Sequence, residues 1–563
     1  MKLPLSLVHS LPLLLLVALV CRAAPVYAQS TAIVETRLPH GDLGASLRTL
    51  ATQAPPPAPA LTPAVRRVMP LLLFRPPASN RARSALTARG APPYSALQAG
   101  AATPPMPRVN TGGTLVNIEG IASDVTVAPA DPNGAVGESQ YVQWVNARLA
   151  IYDKANGALL LGPIPGNTVF GGFTGSPGAD ACRLSNMGDP IAQYDKAAKR
   201  WLLTQFAWLP ENFGTGPYYQ CIAVSTTSDA TGSYYRYVLE ARGPNNEFVF
   251  NDYPKLGVWP DAYYLTSALF NPTLTSYVGP QACGLDRATM LAGAATLVRC
   301  VTLGNEFGPL LPSDLDSATA PPANSPNYLV SLNFDFNDGR GQNLFMWRFS
   351  FRNATISGPI EIPVAPFTIA CPSFFGRACI QQPAPGEALD ALSDRLMYRA
   401  AYRNFGNREA IVLNHSVQQP GAPDNGPVAV RWYEVRDPGG TPTVYQQGNH
   451  MPDANSRWMG SIAMDRMGNI AIGYSIAGPT TPPGIRYTGR MRSEPLGRLE
   501  SEAVIVNGGG VQVNTVGRWG DYSAMTVDPV NDCAFWYTQQ YMATTGDFNW
   551  RTRIADFKFI NCQ

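Results

Sequence analysis

The chain has 563 residues, with 42 Lys and Arg against 40 Asp and Glu and a formal net charge of +2. Near-neutrality with only 15% charged residues excludes a protein that holds nucleic acid by charge as a whole. With 51 Gly, 52 Pro and 10% aromatic residues, the chain is turn-dense and aromatic-rich, which predicts an all-β fold.

The first element is an apolar run, Leu11 to Val20, behind Lys2 and ahead of Ala23-Ala24-Pro25-Val26-Tyr27-Ala28. It reads as a secretory signal peptide, residues 1–28, cut after Ala28 and too short to span a bilayer. Leu19-Val20 before Cys21 is a poor lipoprotein signal. Residues 29–108 are rich in Pro, Ala and Arg, as in Ala54-Pro55-Pro56-Pro57-Ala58-Pro59. Such a segment buries too little apolar surface to offset chain entropy, so a disordered leader is expected, with room for a short helix near Leu43 to Thr52. A linker or tether is the plainer reading of it, a propeptide or cell-surface contact the sharper one. The expectation is a secreted protein, extracellular or periplasmic, with no membrane span, no nucleic-acid partner, and a monomer.

Export assigns the cysteines a role. Without Cys21, eight remain: Cys182, Cys221, Cys283, Cys300, Cys371, Cys379, Cys533 and Cys562. An oxidising compartment predicts disulfides, and spacing suggests neighbours pair, 182 with 221, 283 with 300, 371 with 379 and 533 with 562. Eight cysteines allow 105 connectivities, so spacing alone does not fix the pairing. No Cys-x-x-Cys or Cys/His cluster supports a metal.

From residue 109 onward one plan recurs: a polar mouth, a short apolar strand, a turn and a second apolar strand. Gly520-Asp521 leads to Ser523-Ala524-Met525-Thr526-Val527, the turn Asp528-Pro529, then Cys533 to Thr538. Gly188-Asp189-Pro190, Asn251-Asp252-Tyr253-Pro254, Asp390 to Asp394 and Met459-Gly460 open similar units. The gaps are sixty to seventy residues, and one double gap holds its own strand pair, Tyr328 to Leu332 and Phe345 to Phe349. Counting it gives a β-propeller of about seven four-stranded blades over residues 109–563. Thr552 to Ile560 should pair beside the strand that starts at Thr114 and close the ring. One loop helix is expected, Asp286 to Leu297.

Chemistry is harder to place. Of four histidines, only His415 and His450 fall in the folded part, so there is no His-Glu-x-x-His zinc site and a Ser-His-Asp triad would need one of these two. No Gly-x-Ser-x-Gly elbow or phosphate-cradling loop is present. The recurring acids Asp131, Asp189, Asp252, Asp394 and Asp521 are the alternative. If they hold equal places in successive blades they meet at the axis, where crowded carboxylates raise one another's pKa or bind a cation. Such an oxygen-rich site suits calcium, though no cofactor is required. The plain structural role of each is to cap loop amides at a strand entry. Arg457, Arg486, Arg490 and Arg518 gather near the same motifs with Tyr487. Their guanidinium groups suit carboxylate recognition, or stack on a neighbouring Trp.

Asp131-Pro132-Asn133-Gly134-Ala135-Val136-Gly137, Asn251-Asp252-Tyr253-Pro254-Lys255 and Arg518-Trp519-Gly520-Asp521-Tyr522-Ser523 resemble motifs of an uncharacterised family of secreted bacterial β-propeller proteins. More distantly the chain is similar in shape to sialidase-like propellers. That resemblance implies an arginine cluster for a substrate carboxylate, an Asp acid and a Tyr nucleophile with a carboxylate partner. The Asp-box of those enzymes is not reproduced: Asp465-Arg466-Met467-Gly468 carries an extra turn residue and Asp195 lacks the glycine. The expectation is a propeller acting on extracellular carbohydrate as a sialidase-like glycoside hydrolase. Asp189, Asp252, Asp521 and Tyr487 would be catalytic, with Arg457, Arg486, Arg490 and Arg518 on substrate. The other reading is a non-catalytic propeller that binds a glycan, a surface polymer or a protein.

Overall fold

A computed structural model describes residues 32–53, 67–68, 110–124, 127–374, 377–419 and 421–563. The signal peptide and most of the leader, residues 54–66 and 69–109, lie outside the described residues.

Among the described residues, seven antiparallel four-stranded blades follow one another along the chain. Their inner strands are Asn133–Val136, Gly188–Asp195, Phe250–Val258, Leu311–Leu315, Met397–Asn404, Ser456–Met464 and Ala524–Val527. Each inner strand lies beside the next, and the seventh returns to the first, so the ring is closed. The fourth and fifth blades are joined directly: Ser313 to Leu315 pairs in parallel with Ala400 to Tyr402. The seventh blade is completed by the start of the domain, because Arg551–Phe559 takes Thr111–Ala122 as its outer neighbour, with Ile554 opposite Ile118 and Phe557 opposite Thr114. Both ends of the ring are thus held in one sheet.

The burial pattern follows from this stacking. An inner strand has a neighbouring blade on each face, so it reads as continuously buried rather than alternating. Gly188–Asp195 and Ser456–Met464 are buried at every position. Between the blades lie Trp201, Trp458, Trp519, Ile472 and Phe535, all fully buried. Each such side chain contributes about 1.5–3 kcal/mol of transfer free energy. Four disulfides, Cys182–Cys221, Cys283–Cys300, Cys371–Cys379 and Cys533–Cys562, join the neighbours that spacing suggests. No helix among the described residues is long and apolar enough to cross a membrane.

Two expectations are corrected. Residues 32–53 are ordered: Val34–Leu38 pairs with Thr296–Thr302 at the outer edge of the third blade, and Asp42–Leu43 with the outer strand of the second. Ser46 then caps a short helix, Leu47–Thr52, through its side-chain oxygen, and the helix buries Leu47 and Leu50. The exposed strand edges supply the partners that composition alone does not reveal. The helix expected at Asp286 to Leu297 is only Arg287–Leu291, capped by Asp286. Gly293, at φ +67°, ends it, and Thr296 to Thr302 becomes a strand.

Candidate active site at the axial mouth

The polar mouths are built by a repeated backbone kink. Asp131, Asp189, Tyr253 and Met459 all have left-handed φ, between 43° and 52°, and each is followed by Pro or Gly. In three of these blades the kink is a β-bulge in the inner pair, spanning Gly188 to Ile191, Asp252 to Lys255 and Trp458 to Ser461. Non-glycine residues held this way cost of order 1–3 kcal/mol each and persist where the surroundings fix them. The kinks turn the chain toward the axis on the face where every inner strand begins. They also revise the expected equivalence: Asp131 and Asp189 hold the same place, but its match in the third blade is Tyr253, with Asp252 one residue earlier.

A hydrogen-bond relay ties these kinks together. Asn146 donates from Nδ2 to Asp131 Oδ2 at 2.7 Å, and its Oδ1 accepts the backbone N–H of Asp189 at 2.9 Å. Asp131 Oδ1 accepts the backbone N–H of Asp521 at 2.6 Å, from the seventh blade. Gly520 allows that approach, since a Cβ there would meet Pro132 Cδ at 2.9 Å and Gln540 Oε1 at 2.7 Å. On the other side, Arg518 donates to Asp390 at 3.1 Å and lies 3.0–3.1 Å from both oxygens of Asp521. Arg377 reaches the same Asp390 oxygen at 3.0 Å. Arg395 grips Asp394 with two bonds of 2.8 and 3.1 Å and lies 4.6 Å from the Tyr253 ring centre.

Lys255 sits in the middle of this group. It is fully buried, donates to the Pro254 carbonyl at 2.9 Å, and places its ammonium 3.4 Å and 4.0 Å from the ring centres of Tyr253 and Tyr522. Burial pulls its pKa down to about 7, against the attraction of Asp189, Asp131, Asp252 and Asp521. The carboxyls shift the other way. Asp131 is pushed up to about 7, chiefly by burial and then by Asp521. Asp252 is pushed up to about 6 by burial, with Arg395 opposing. Asp189 is raised well above the carboxylate range by burial, then by Asp131 and Asp252. Among the described residues, the side chains of Asp189 and Asp252 accept no hydrogen bond, and the buried hydroxyl of Tyr253 has no partner. Asp252 and Asp521 are partly exposed, whereas Asp131, Asp189 and Lys255 are shut in. The mouth therefore has a buried floor carrying charge and two carboxylates at its rim. Lys255 places a protein cation among these carboxylates.

Asp189, Asp252, Asp521 and Arg518 thus meet at the mouth, and the other four candidates do not. Tyr487 lies on the third strand of the sixth blade, bonded to Thr111 Oγ1 at 2.8 Å and stacked on Phe557 at 3.8 Å, toward the outer edge of the ring. Arg486, on the same strand, donates to the Val506 carbonyl at 3.1 Å and to Asn507 at 2.6 Å. Arg490 donates to the Glu494 carbonyl at 2.5 Å, beyond the far end of its strand. Arg457 is fully buried and pairs with Asp453 and with Glu502 at 2.7 Å; Glu502 also accepts the Tyr474 hydroxyl at 3.0 Å and lies 3.6 Å from His450. Third-strand residues sit away from the axis in a propeller blade, so sequence neighbours of a mouth need not face it. Arg457 and Arg518 are buried ion-pair partners, not surface groups. His415 is buried against the Tyr433 hydroxyl at 2.8 Å. Asp195 and Asp465 sit at the turns after their inner strands, on the opposite face, and bind turn amides there.

Sequence reasoning missed Lys255, Asn146, Tyr253 and Arg395 as members of the group. Lys255 follows Tyr253-Pro254 directly, and a lysine placed two residues beyond a kink was the available signal.

No protein-family model matches the chain, and no curated protein matches it in sequence. Among solved structures it is similar to an ulvan lyase bound to its saccharide, at 11% identity and TM-score 0.37, over 80% of this chain and 94% of that one. It is also similar to an α-L-arabinofuranosidase from Fusarium graminearum, at 9% identity and TM-score 0.35, over 80% and 99%. An exo-β-1,3-galactanase from Clostridium thermocellum gives 10% identity and TM-score 0.30, over 78% and 88%. These likenesses to carbohydrate-active enzymes are distant, and the assignment of the fold rests on the strand pairing above.

Proposed function

We propose that the axial mouth is a carboxylate-based active centre for the hydrolysis of extracellular carbohydrate. The observation that carries this reading is the pair Asp189 and Asp252. They come from adjacent blades, accept no hydrogen bond, and lie beside a buried lysine. Glycoside cleavage needs one carboxyl that keeps its proton near neutral pH and one that does not. Asp252, partly exposed and raised to about 6, is the acid that protonates the leaving oxygen. Asp521, paired with Arg518, is the carboxylate that activates water or stabilises the developing positive charge. Asp131, Asp189 and Lys255 form the floor that sets the charge of the site. Tyr487 and the arginines of the sixth blade take no part, so the sialidase-type assignment of roles is set aside.

A binding module without catalysis is the second reading, and one observation favours it. Both oxygens of Asp131 already serve the frame, through Asn146 and Asp521, as a purely structural carboxylate would. The deciding experiment exposes the purified full chain to a panel of polysaccharides and follows reducing-end release. Asp521→Asn should abolish release while far-UV circular dichroism and the melting temperature stay near wild type. Binding with no release by the wild-type protein would select the second reading.

A further inference from the structure

A second polar recess opens on the same face, away from the axis. Blade strands alternate in direction, so the turn between the second and third strands lies at the end where the inner strand begins. Two such turns, at residues 334–339 and 421–427, flank a cavity of about 640 Å³ between the fourth and fifth blades. That volume falls within the roughly 300–1,000 Å³ of small-molecule sites. Its lining includes the largely buried Phe334 and Phe367 together with Gln342, Asn343, Arg431 and Asn449.

The polar atoms here are unspent. Among the described residues the side-chain amides of Gln342 and Asn343 make no hydrogen bond. Arg431 is 2% exposed, and its Nε has no partner, although Nη2 donates to the Ala365 carbonyl and Gln447 Oε1 and Nη1 to the Pro366 carbonyl. The buried Oδ1 of Asn449 also lacks one. Buried polar atoms are costly to leave unpaired, and a cavity that keeps two, Arg431 Nε and Asn449 Oδ1, beside two uncommitted amides suits a ligand able to pair them. The acids on its rim are committed: Asp335 accepts the backbone and side chain of Asn337 at 2.8 Å, Asp338 lies 3.7 Å from Arg340, and Asp424 accepts from Ser373. With Arg340 and Arg431 set against these three acids, the lining has no excess of positive charge that would select an anionic ligand.

We infer that this recess is a saccharide-binding site for a neutral oligosaccharide, separate from the axial mouth. Amide donors and acceptors match sugar hydroxyls, which both give and accept hydrogen bonds, while the phenylalanines give the lining an apolar part suited to pyranose C–H groups. The Thr368 to Arg395 connection, closed by Cys371–Cys379, touches this recess at Thr368 and Pro372 and supplies Arg377, Asp390 and Arg395 to the mouth.

The test is calorimetric titration of the full chain with neutral β-1,4-glucan, β-1,4-xylan and β-1,3-galactan hexasaccharides, and with oligogalacturonate. At least one neutral oligosaccharide should bind wild type and the Asp252→Asn/Asp521→Asn double variant alike, whether or not either hydrolyses it. Gln342→Ala/Asn343→Ala, at partly exposed positions, should weaken that binding at least ten-fold without shifting the melting temperature. Unchanged affinity in that variant, loss of binding in the aspartate double variant, preference for oligogalacturonate, or no binding by any neutral member would each overturn the assignment. Loss of binding in the aspartate double variant would put the sugar at the mouth, whereas retained binding with reducing-end release abolished would separate the recess from catalysis at the mouth.

Discussion

Asp131, ahead of the first blade, accepts the backbone N–H of Asp521, ahead of the last, at 2.6 Å. The two residues are 390 positions apart, and the bond fastens the mouth at the seam where the ring closes. Asp131→Ala would orphan this N–H and one N–H of the Asn146 amide, whose nitrogen also reaches the Pro129 carbonyl, each at roughly 1–3 kcal/mol. Asp131→Asn keeps an acceptor oxygen and should lose less. Because the Asp131 pKa is raised to about 7, its contribution is present at low pH and lost as pH rises through that value. Chemical denaturation should therefore show the gap between wild type and the alanine variant narrowing from pH 5 to pH 8.

Asp189 gives a cleaner pH signature. Burial and its neighbours raise its pKa well above the ordinary carboxylate range, so the folded state retains a proton that the unfolded chain releases. Wild-type stability should fall with rising pH above the unfolded value of about 3.9. Asp189→Asn carries no such proton. Its melting temperature relative to wild type should rise between pH 5 and pH 8, and a constant difference would place the carboxyl in an ordinary environment.

The propeller was legible because its unit repeats: Asp-Pro, Tyr-Pro and Met-Gly mouths recur ahead of apolar strands, and alternation in Thr552 to Ile560 marked the closing strand. The cysteine neighbours were legible for a simpler reason, that short loops close. Residues 32–53 were not, because Val34 to Leu38 and Asp42 to Leu43 are strands only against edges made 190 to 270 residues later. The site was half legible. Asp189, Asp252 and Asp521 follow from blade order, whereas Tyr487 and Arg486 lie near the mouth in sequence but on a strand two places out from the axis. Lys255 escaped notice because a lysine is ordinarily read as exposed; its place two residues beyond the Tyr253 kink was the one local sign that it turns inward.

Arg518 holds Asp390 and Asp521 at once while 3% exposed. Arg518→Met would leave Asp390 and Asp521 without their shared guanidinium, and removal of one member of a buried pair costs about 3–5 kcal/mol. Arg518→Lys keeps the charge but not the fork, and should fall between the two. Equilibrium unfolding in urea ranks the three proteins, and equal midpoints would remove Arg518 from the account of the mouth.

Cys533–Cys562 ties the first turn of the last blade to the chain just beyond its third strand, closing a separation of 29 residues. A cross-link of that span stabilises by about 3–4 kcal/mol through the unfolded state. The Cys533→Ser/Cys562→Ser variant should melt earlier than wild type by a matching amount, and thiol titration of the unfolded wild-type mature protein without reductant should find no free thiol.

The central claim is that Asp252 acts as the acid at the axial mouth, and the pH dependence of kcat tests it most directly. On whichever polysaccharide the wild-type protein cleaves, kcat should fall as pH rises through about 6, the pKa to which burial raises Asp252. Asp252→Asn should lower kcat on the order of 10²–10⁴-fold and remove that alkaline limb, while the melting temperature stays near wild type. An Asp252→Asn protein that keeps wild-type kcat, or keeps the same limb near pH 6, would contradict the account.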